Sequence, residues 1–273
     1  MNGNHWQGKI LGMLGGGNMA EALIRGILSA KLMQPSDIVV VDPQPARRQA
    51  IANLGCRTES HPHAILVADF LLMAIKPQQF RQATQELGVH LSPKALVASI
   101  AAGVPLRVIE GLFPSKCRVI RVMPNTPLLL GMGVSVLAKG SHATHIDMAM
   151  AKQLFGCAGR AYEVEENLLD AVTALSGSGP AYLFRFAEAL IRGGEALGLS
   201  SDLARELTTG MLRGSAEMLA ATPDPTLLRE RVTSPGGTTA AALEVFEAHN
   251  LEEMVKEAMA AAKRRGAELG REA

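Results

Sequence analysis

The chain has 273 residues, enough for one large domain or two ordinary ones. Hydrophobic residues make up 48% and charged residues 19%, a balance that supplies a packed core and excludes an intrinsically disordered chain. The formal net charge of +1 leaves no electrostatic footprint for nucleic acid or an anionic membrane, and the 4% aromatic content means the core is built from aliphatic residues and the 13 Met.

The first half alternates strand-like and helical runs. Lys9 to Leu14 reads as a strand and Met19 to Ala30 as a helix, with Ala22, Leu23, Ile27 and Leu28 on its apolar stripe. A second strand, Ile38 to Val41, is followed by a helix from Pro45 to Leu54. Further strands are predicted at Phe70 to Ile75, Leu96 to Ile100 and Arg118 to Met123, with β-rich pieces at Val134 to Ala138 and Ala161 to Val164. Strands alternating with helices imply parallel crossovers and an α/β, doubly wound sheet.

From about Asn167 the pattern is helical only: Leu168 to Ala174, Tyr182 to Leu197, Asp202 to Ala221, Thr239 to His249 and Glu252 to Gly266. Leu203, Leu207 and Met211 share one helix face, and Ser200 and Ser201 offer capping oxygens before it. The change of pattern places a domain boundary after residue 165, giving an α/β domain at 1–165 and an α-helical domain at 166–273.

Gly15-Gly16-Gly17-Asn18-Met19-Ala20 fits GxGxxA between a strand and a helix, the fingerprint of a dinucleotide-binding turn. Gly15 permits the tight turn, Gly17 admits a pyrophosphate, and Ala20 brings the helix close to its strand. The unpaired N–H groups at the helix start then face the phosphates. Asp42 ends the second strand about twenty residues on, where an acid bonds the adenosine ribose and favours NADH over NADPH. Arg47 and Arg48 follow within phosphate range, so the residues leave the choice open.

Ligands of such sheets lie beyond the carboxyl ends of the strands. The candidate cofactor residues are therefore Leu14, Gly15, Gly16, Gly17, Asn18, Met19, Asp42, Ala74, Ile75, Lys76, Pro77, Ile100, Ala102 and Asn125. Lys76 is suited to ribose hydroxyls, and the small residues Ala101, Ala102 and Gly103 leave room for a nicotinamide. Asn125 either bonds its carboxamide or orients the loop. In the helical half, Ser176-Gly177-Ser178-Gly179-Pro180 and Thr233-Ser234-Pro235-Gly236-Gly237-Thr238-Thr239 each precede a helix and offer donors suited to a carboxylate.

Other chemistries are disfavoured. Cys56, Cys117 and Cys157 show no CxxC or metal-like spacing and read as free thiols of a reducing, cytoplasmic compartment. His142 and His145 read as a loop pair without further ligands, so no metal is expected. The apolar run Ile10 to Leu14 is too short for a signal peptide, and the charge-free stretch Val122 to Ala138 is broken by Pro124, Asn125, Pro127 and two glycines, so no membrane span is expected.

The glycine loop, Ala74-Ile75-Lys76-Pro77-Gln78, Asp170 to Tyr182 and Ser234-Pro235-Gly236-Gly237-Thr238-Thr239 together resemble the successive signatures of the pyrroline-5-carboxylate reductase family. The resemblance implies a Rossmann domain plus a helical domain for substrate binding and dimerisation. It also implies reduction of 1-pyrroline-5-carboxylate to L-proline with NADPH or NADH, and a homodimer or larger homo-oligomer. It implies Thr239 as the catalytic residue, with its hydroxyl on the ring nitrogen. Glu165, Ser234, Gly236, Gly237 and Thr238 would be substrate contacts: backbone N–H groups of the loop on the carboxylate, and Glu165 favouring the cationic imine. His61 is implied beside the ribose. The family often carries Ser or Asn at the position of Asp42 and usually prefers NADPH. A β-hydroxyacid dehydrogenase would need a lysine from the helical half, and none occurs between Lys152 and Lys256. A non-catalytic nicotinamide-binding redox sensor is the alternative; the intact Ser234–Thr239 loop argues against it.

Overall fold

The computed structural model describes residues 5–76, 79–87, 90–114 and 116–272. By compactness the chain divides into two units, Met1–Ser178 together with Ala261–Ala273, and Gly179–Ala260.

The first unit is built on strands β1 (Leu11–Leu14), β2 (Ile38–Val41), β3 (Arg57–Glu59), β4 (Phe70–Met73), β5 (Leu96–Ser99), β6 (Arg118–Met123), β7 (Gly133–Lys139) and β8 (Gly159–Glu163). They form one sheet in the order β3-β2-β1-β4-β5-β6-β7-β8. The pairings are parallel except between β6 and β7. The order reverses between β1 and β4, which is the topological switch point of a doubly wound sheet.

Alternate residues of each strand point to opposite faces, so each buried strand feeds two cores. Leu11, Met13, Ile38, Val40, Phe70 and Leu72 pack on one side, against α1 (Asn18–Ser29), Ile51 of α2 (Pro45–Ala52) and α5 (His145–Gly156). Val39, Val41, Leu71, Met73, Val97 and Val119 pack on the other, with α3 (Phe80–Leu87) and α4 (Leu106–Gly111). Burial on both faces is why these strands read as unbroken apolar runs.

The structure keeps His142 in a turn but corrects the reading of His145. His145 opens α5 rather than lying in a loop, and a capping box starts that helix. Thr144 N–H donates to Asp147 Oδ2 at 2.8 Å, and Asp147 N–H donates back to Thr144 Oγ1 at 3.2 Å. Among the described residues no cluster of metal-ligating side chains occurs, and the three cysteines are free thiols.

Residues 166–178 stay with the sheet by compactness, although the strand pattern has ended at Glu163. The segment comprises a 3-10 turn, α6 (Leu169–Val172) and a π-turn, Thr173–Gly177. Leu169 is fully buried in the second core cluster. Arg121, 6% exposed in the middle of β6, donates to Glu166 Oε1 at 3.3 Å and Asp170 Oδ1 at 3.1 Å. Glu166 Oε1 also accepts from Leu106 N–H at 2.6 Å.

The second unit holds α7 (Gly179–Ala196), α8 (Ser201–Ala221), α9 (Pro225–Arg231), α10 (Thr238–Ala248) and the start of α11 (Leu251–Glu272). Ser200 caps α8 by accepting from Leu203 N–H. Phe186 of α7 meets Phe246 of α10 with ring centroids 6.3 Å apart. Leu203, Leu207 and Met211 share a face as predicted, and that face is open, each being 44–54% exposed. Helix α11 ends in the first unit. There a Cβ on Gly103 would stand 3.0 Å from Gly266 O, and one on Gly270 would collide with Gly103 O. The glycines let two backbones touch behind the Ala101–Gly103 turn. No helix among the described residues is long and apolar enough to cross a membrane.

Candidate dinucleotide and active site

The carboxyl ends of β1, β2 and β4 open into a cleft of about 550 Å³. Gly15 makes the turn after β1 at φ +100°, where a Cβ would stand 2.5 Å from Ala74 O, so both conformation and space demand glycine. Its N–H donates to Val41 O at 2.8 Å, which ties the loop to β2. Gly17 precedes α1 with extended backbone, and a Cβ there would meet nothing within 4 Å. The turn thus presents an open glycine and a helix start to the cleft, a cradle that fits a pyrophosphate. Ala20 is 1% exposed beneath it.

Leu14, Gly15, Gly17, Asn18, Asp42, Ala74, Ile75 and Lys76 line this cleft, as do Pro43, Gln44, Arg47, Ser60 and Pro62. A second cleft of about 370 Å³ continues from it, sharing Ala74, Ile75 and Lys76. Met19, Ile100, Ala101, Ala102, Met123 and Asn125 are among its walls. Most of the described candidate cofactor residues therefore fall along one trough at the switch point. Gly16 is the exception: it is buried beneath the loop, and its N–H donates to Asp42 Oδ2 at 2.8 Å. His61 is flanked by the cleft residues Ser60 and Pro62 but does not line the cleft. Pro77 and Gln78 lie outside the described residues.

Asn125 is 8% exposed, and its amide is already employed. Oδ1 accepts from Val134 N–H at 2.8 Å and Nδ2 donates to Ser176 O at 3.2 Å. It clamps the start of β7 to the π-turn, the contacts a loop-orienting residue makes, and its second amide N–H is not used by either bond. Gly177 completes the floor, because a Cβ there would collide with the Met123 methyl. Neither Gly177 as a wall nor the buried Arg121 network was anticipated. The signal for the latter was present: an arginine inside an otherwise apolar strand requires a partner.

Glu165 is exposed at the start of the 3-10 turn, and its side chain makes no cap. It lines neither cleft. In the second unit the loop before α10 keeps Gly236 at φ +68°, and Gly237 caps the helix. Gly237 N–H donates to Ser234 O at 3.0 Å, so this donor, expected on a carboxylate, is used within the loop itself. Thr238 and Thr239 occupy the first two helical positions, where backbone N–H groups lack intrahelical acceptors.

A glycine fingerprint at the switch point of a doubly wound sheet, opening into a two-part trough, defines a nicotinamide-dinucleotide-dependent oxidoreductase of the Rossmann type. Residues 166–269 match the family model described as pyrroline-5-carboxylate reductase dimerisation, and residues 10–103 match one described as NADP oxidoreductase, coenzyme F420-dependent. The chain is 40% identical to the pyrroline-5-carboxylate reductase of Pseudomonas aeruginosa over 95% of its length and 96% of that protein. It is 39% identical to that of Synechocystis sp. over 96% and 98%. The solved structure of the Coxiella burnetii reductase superposes with a TM-score of 0.89 at 34% identity, covering 96% of this chain and 98% of that one. The NADP-bound Plasmodium falciparum enzyme gives 0.86 at 29%, with the same coverage. The chain belongs to the pyrroline-5-carboxylate reductase family.

Proposed function

We propose that this chain reduces the C=N bond of 1-pyrroline-5-carboxylate to L-proline, with NADPH or NADH as reductant. The observation that carries the reading is the trough itself. It runs from Gly17 past Ala74–Lys76, which line both clefts, to the small residues Ala101 and Ala102, in a chain of this family. The reduced nicotinamide supplies the hydride when bound.

The chain's own residues bind, orient and manage one proton. The helix start after Gly17 holds the pyrophosphate, and Lys76 serves the ribose. Asn125 fixes the loop against which the ring lies. The N–H groups of Gly236 and Thr238 receive the substrate carboxylate, with Ser234 shaping the turn. Thr239 Oγ1 bonds the ring nitrogen and delivers or positions its proton, and Glu165 favours the cationic imine, the better hydride acceptor. The open apolar face of α8 supports assembly into at least a homodimer. The same reading puts the enzyme in the cytoplasm.

The test is steady-state oxidation of NADPH and NADH with pyrroline-5-carboxylate, with proline identified as product, in wild type and Thr239→Ala. We expect kcat to fall in the variant by about 10²-fold or more, the range of a positioned proton donor, with KM changing far less. An unchanged kcat removes Thr239 from the mechanism. No oxidation by folded wild type that still binds nucleotide removes the reductase reading.

A further inference from the structure

The contacts around Asp42 bear on which nicotinamide cofactor is used. We infer that Asp42 makes this chain selective for NADH over NADPH, acting as the residue that discriminates at the adenosine ribose. The inference rests on the nicotinamide-dependent reading above.

Asp42 follows β2, lines the cleft and is 8% exposed. Its carboxylate is held from both sides. Gly16 N–H donates to Oδ2 and Gln44 N–H donates to Oδ1, each at 2.8 Å. It therefore cannot swing away from an incoming anion without stranding two backbone donors. Each carboxylate oxygen keeps a further lone-pair site, so the group can still accept from ribose hydroxyls. A 2′-phosphate replaces one such donor with oxygens carrying about −1.5 to −2 charges, and it meets a fixed anion.

The neighbouring arginines do not offset this repulsion, because they are committed elsewhere. Arg47 donates through Nε to Gly16 O at 2.7 Å and through Nη2 to Glu21 Oε2 at 2.9 Å. Arg48 donates through Nη1 to Asp42 O at 2.8 Å and Pro43 O at 2.9 Å. Glu21 is a lasting counter-ion: hydrogen bonds from Arg25 first, and then from Arg47, hold its carboxyl below the ordinary range. The other described residues around Asp42 in the cleft, Pro43, Gln44, Ser60 and Pro62, are neutral. The remaining lining cation, Lys76, follows β4 and also borders the second cleft. The ribose end thus offers one immobilised carboxylate and two arginines already engaged.

The experiment is equilibrium titration of the full chain with NADH and with NADPH, without substrate, followed by nicotinamide fluorescence. Wild type should bind NADH at least about tenfold more tightly, equivalent to about 1.4 kcal/mol. Asp42→Ser should bring the two affinities within about threefold of each other or invert them, mainly by tightening NADPH. Should Asp42→Ser not fold, Asp42→Asn removes the charge, keeps an acceptor and must move the ratio the same way. Equal or tighter binding of NADPH by wild type overturns the inference, as does a ratio unmoved in the variant. Failure to bind either cofactor overturns the nicotinamide reading itself, which separates the two failures. The ratio of kcat/KM for the two cofactors should follow the binding ratio.

Discussion

Arg121 is the sharpest test of what holds the first unit together. Replacing it with Met keeps most of the stem and removes the guanidinium that reaches Glu166 and Asp170. The arginine side chain is 7% exposed, but its partners are 34% and 29% exposed and can rehydrate. The cost should therefore lie between the roughly 0–1 kcal/mol of a surface pair and the roughly 3–5 kcal/mol of a fully buried pair that loses one member. We expect about 2 kcal/mol, which at a slope of about 3 kcal/mol per molar urea moves the midpoint by about 0.7 M. Trp6, the single tryptophan, is 2% exposed and packs on Phe70 at 5.1 Å, so its fluorescence reports this unit. The triple variant Arg121→Met, Glu166→Gln, Asp170→Asn should recover most of the loss, because neutral partners need no counter-charge. A midpoint shift below about 0.2 M, or a triple variant no better than the single one, refutes the reasoning.

Gly17→Ala should fold normally, since a Cβ there meets nothing, yet weaken NADH binding by about tenfold or more in an equilibrium titration. Gly15→Ala should lose stability as well, by about 1–3 kcal/mol, because of its φ and the contact with Ala74 O; equal stability of the two variants contradicts the geometry. Burial pushes the Cys56 and Cys117 thiols from 9.0 up to about 11, so they favour the folded state fully below pH 9.0 and progressively less as pH rises toward 11. Urea midpoints across that window should fall less steeply in a Cys56→Ala, Cys117→Ala variant, and identical slopes refute the assignment. Gly270→Val should cost about 1–3 kcal/mol by overpacking against Gly103, read by Trp6 fluorescence in urea, and no loss would show that the contact is soft.

How legible each element was follows from where its determinants lie. The bounds of β2 and β6 were read directly: β2 is a continuous apolar run buried on both faces, and β6 is apolar apart from Arg118 and Arg121 and stops before Pro124. Strand β3, Arg-Thr-Glu, carries no hydrophobic signal and exists because β2 offers it a parallel partner. Helix α3 is mostly polar and is anchored by the buried Phe80 and Leu87 at its ends. Gly266 was read as the stop of the last helix, yet α11 runs to Glu272, and the glycine that the close packing on Gly103 requires is Gly270, one turn further on. In the site, the tight turn at Gly15 was readable because its left-handed backbone is a local requirement, whereas the approach of Ala74 O that also demands glycine there comes from a distant strand end. The state of Asp42 was not readable: its fixing partner Gly16 and the engagement of Arg47 with Glu21 join residues 26 apart in the chain. Asn125 was half legible. Its polarity at a strand end marked it, but its two partners come from segments that only the fold brings together.

The return of α11 to the first unit has a consequence for how the protein is born. Domains generally fold in the order in which they are synthesised. Here the sheet and its glycine turn are made early, whereas Gly266 and Gly270, which back the Ala101–Gly103 turn, emerge only after every helix of the second unit. A nascent chain can present the glycine-turn half of the trough long before the Ala101–Ala102 half has its support. The part of the molecule that begins to form first is therefore among the last to be finished, and cofactor held by an incomplete chain would be gripped at one end only.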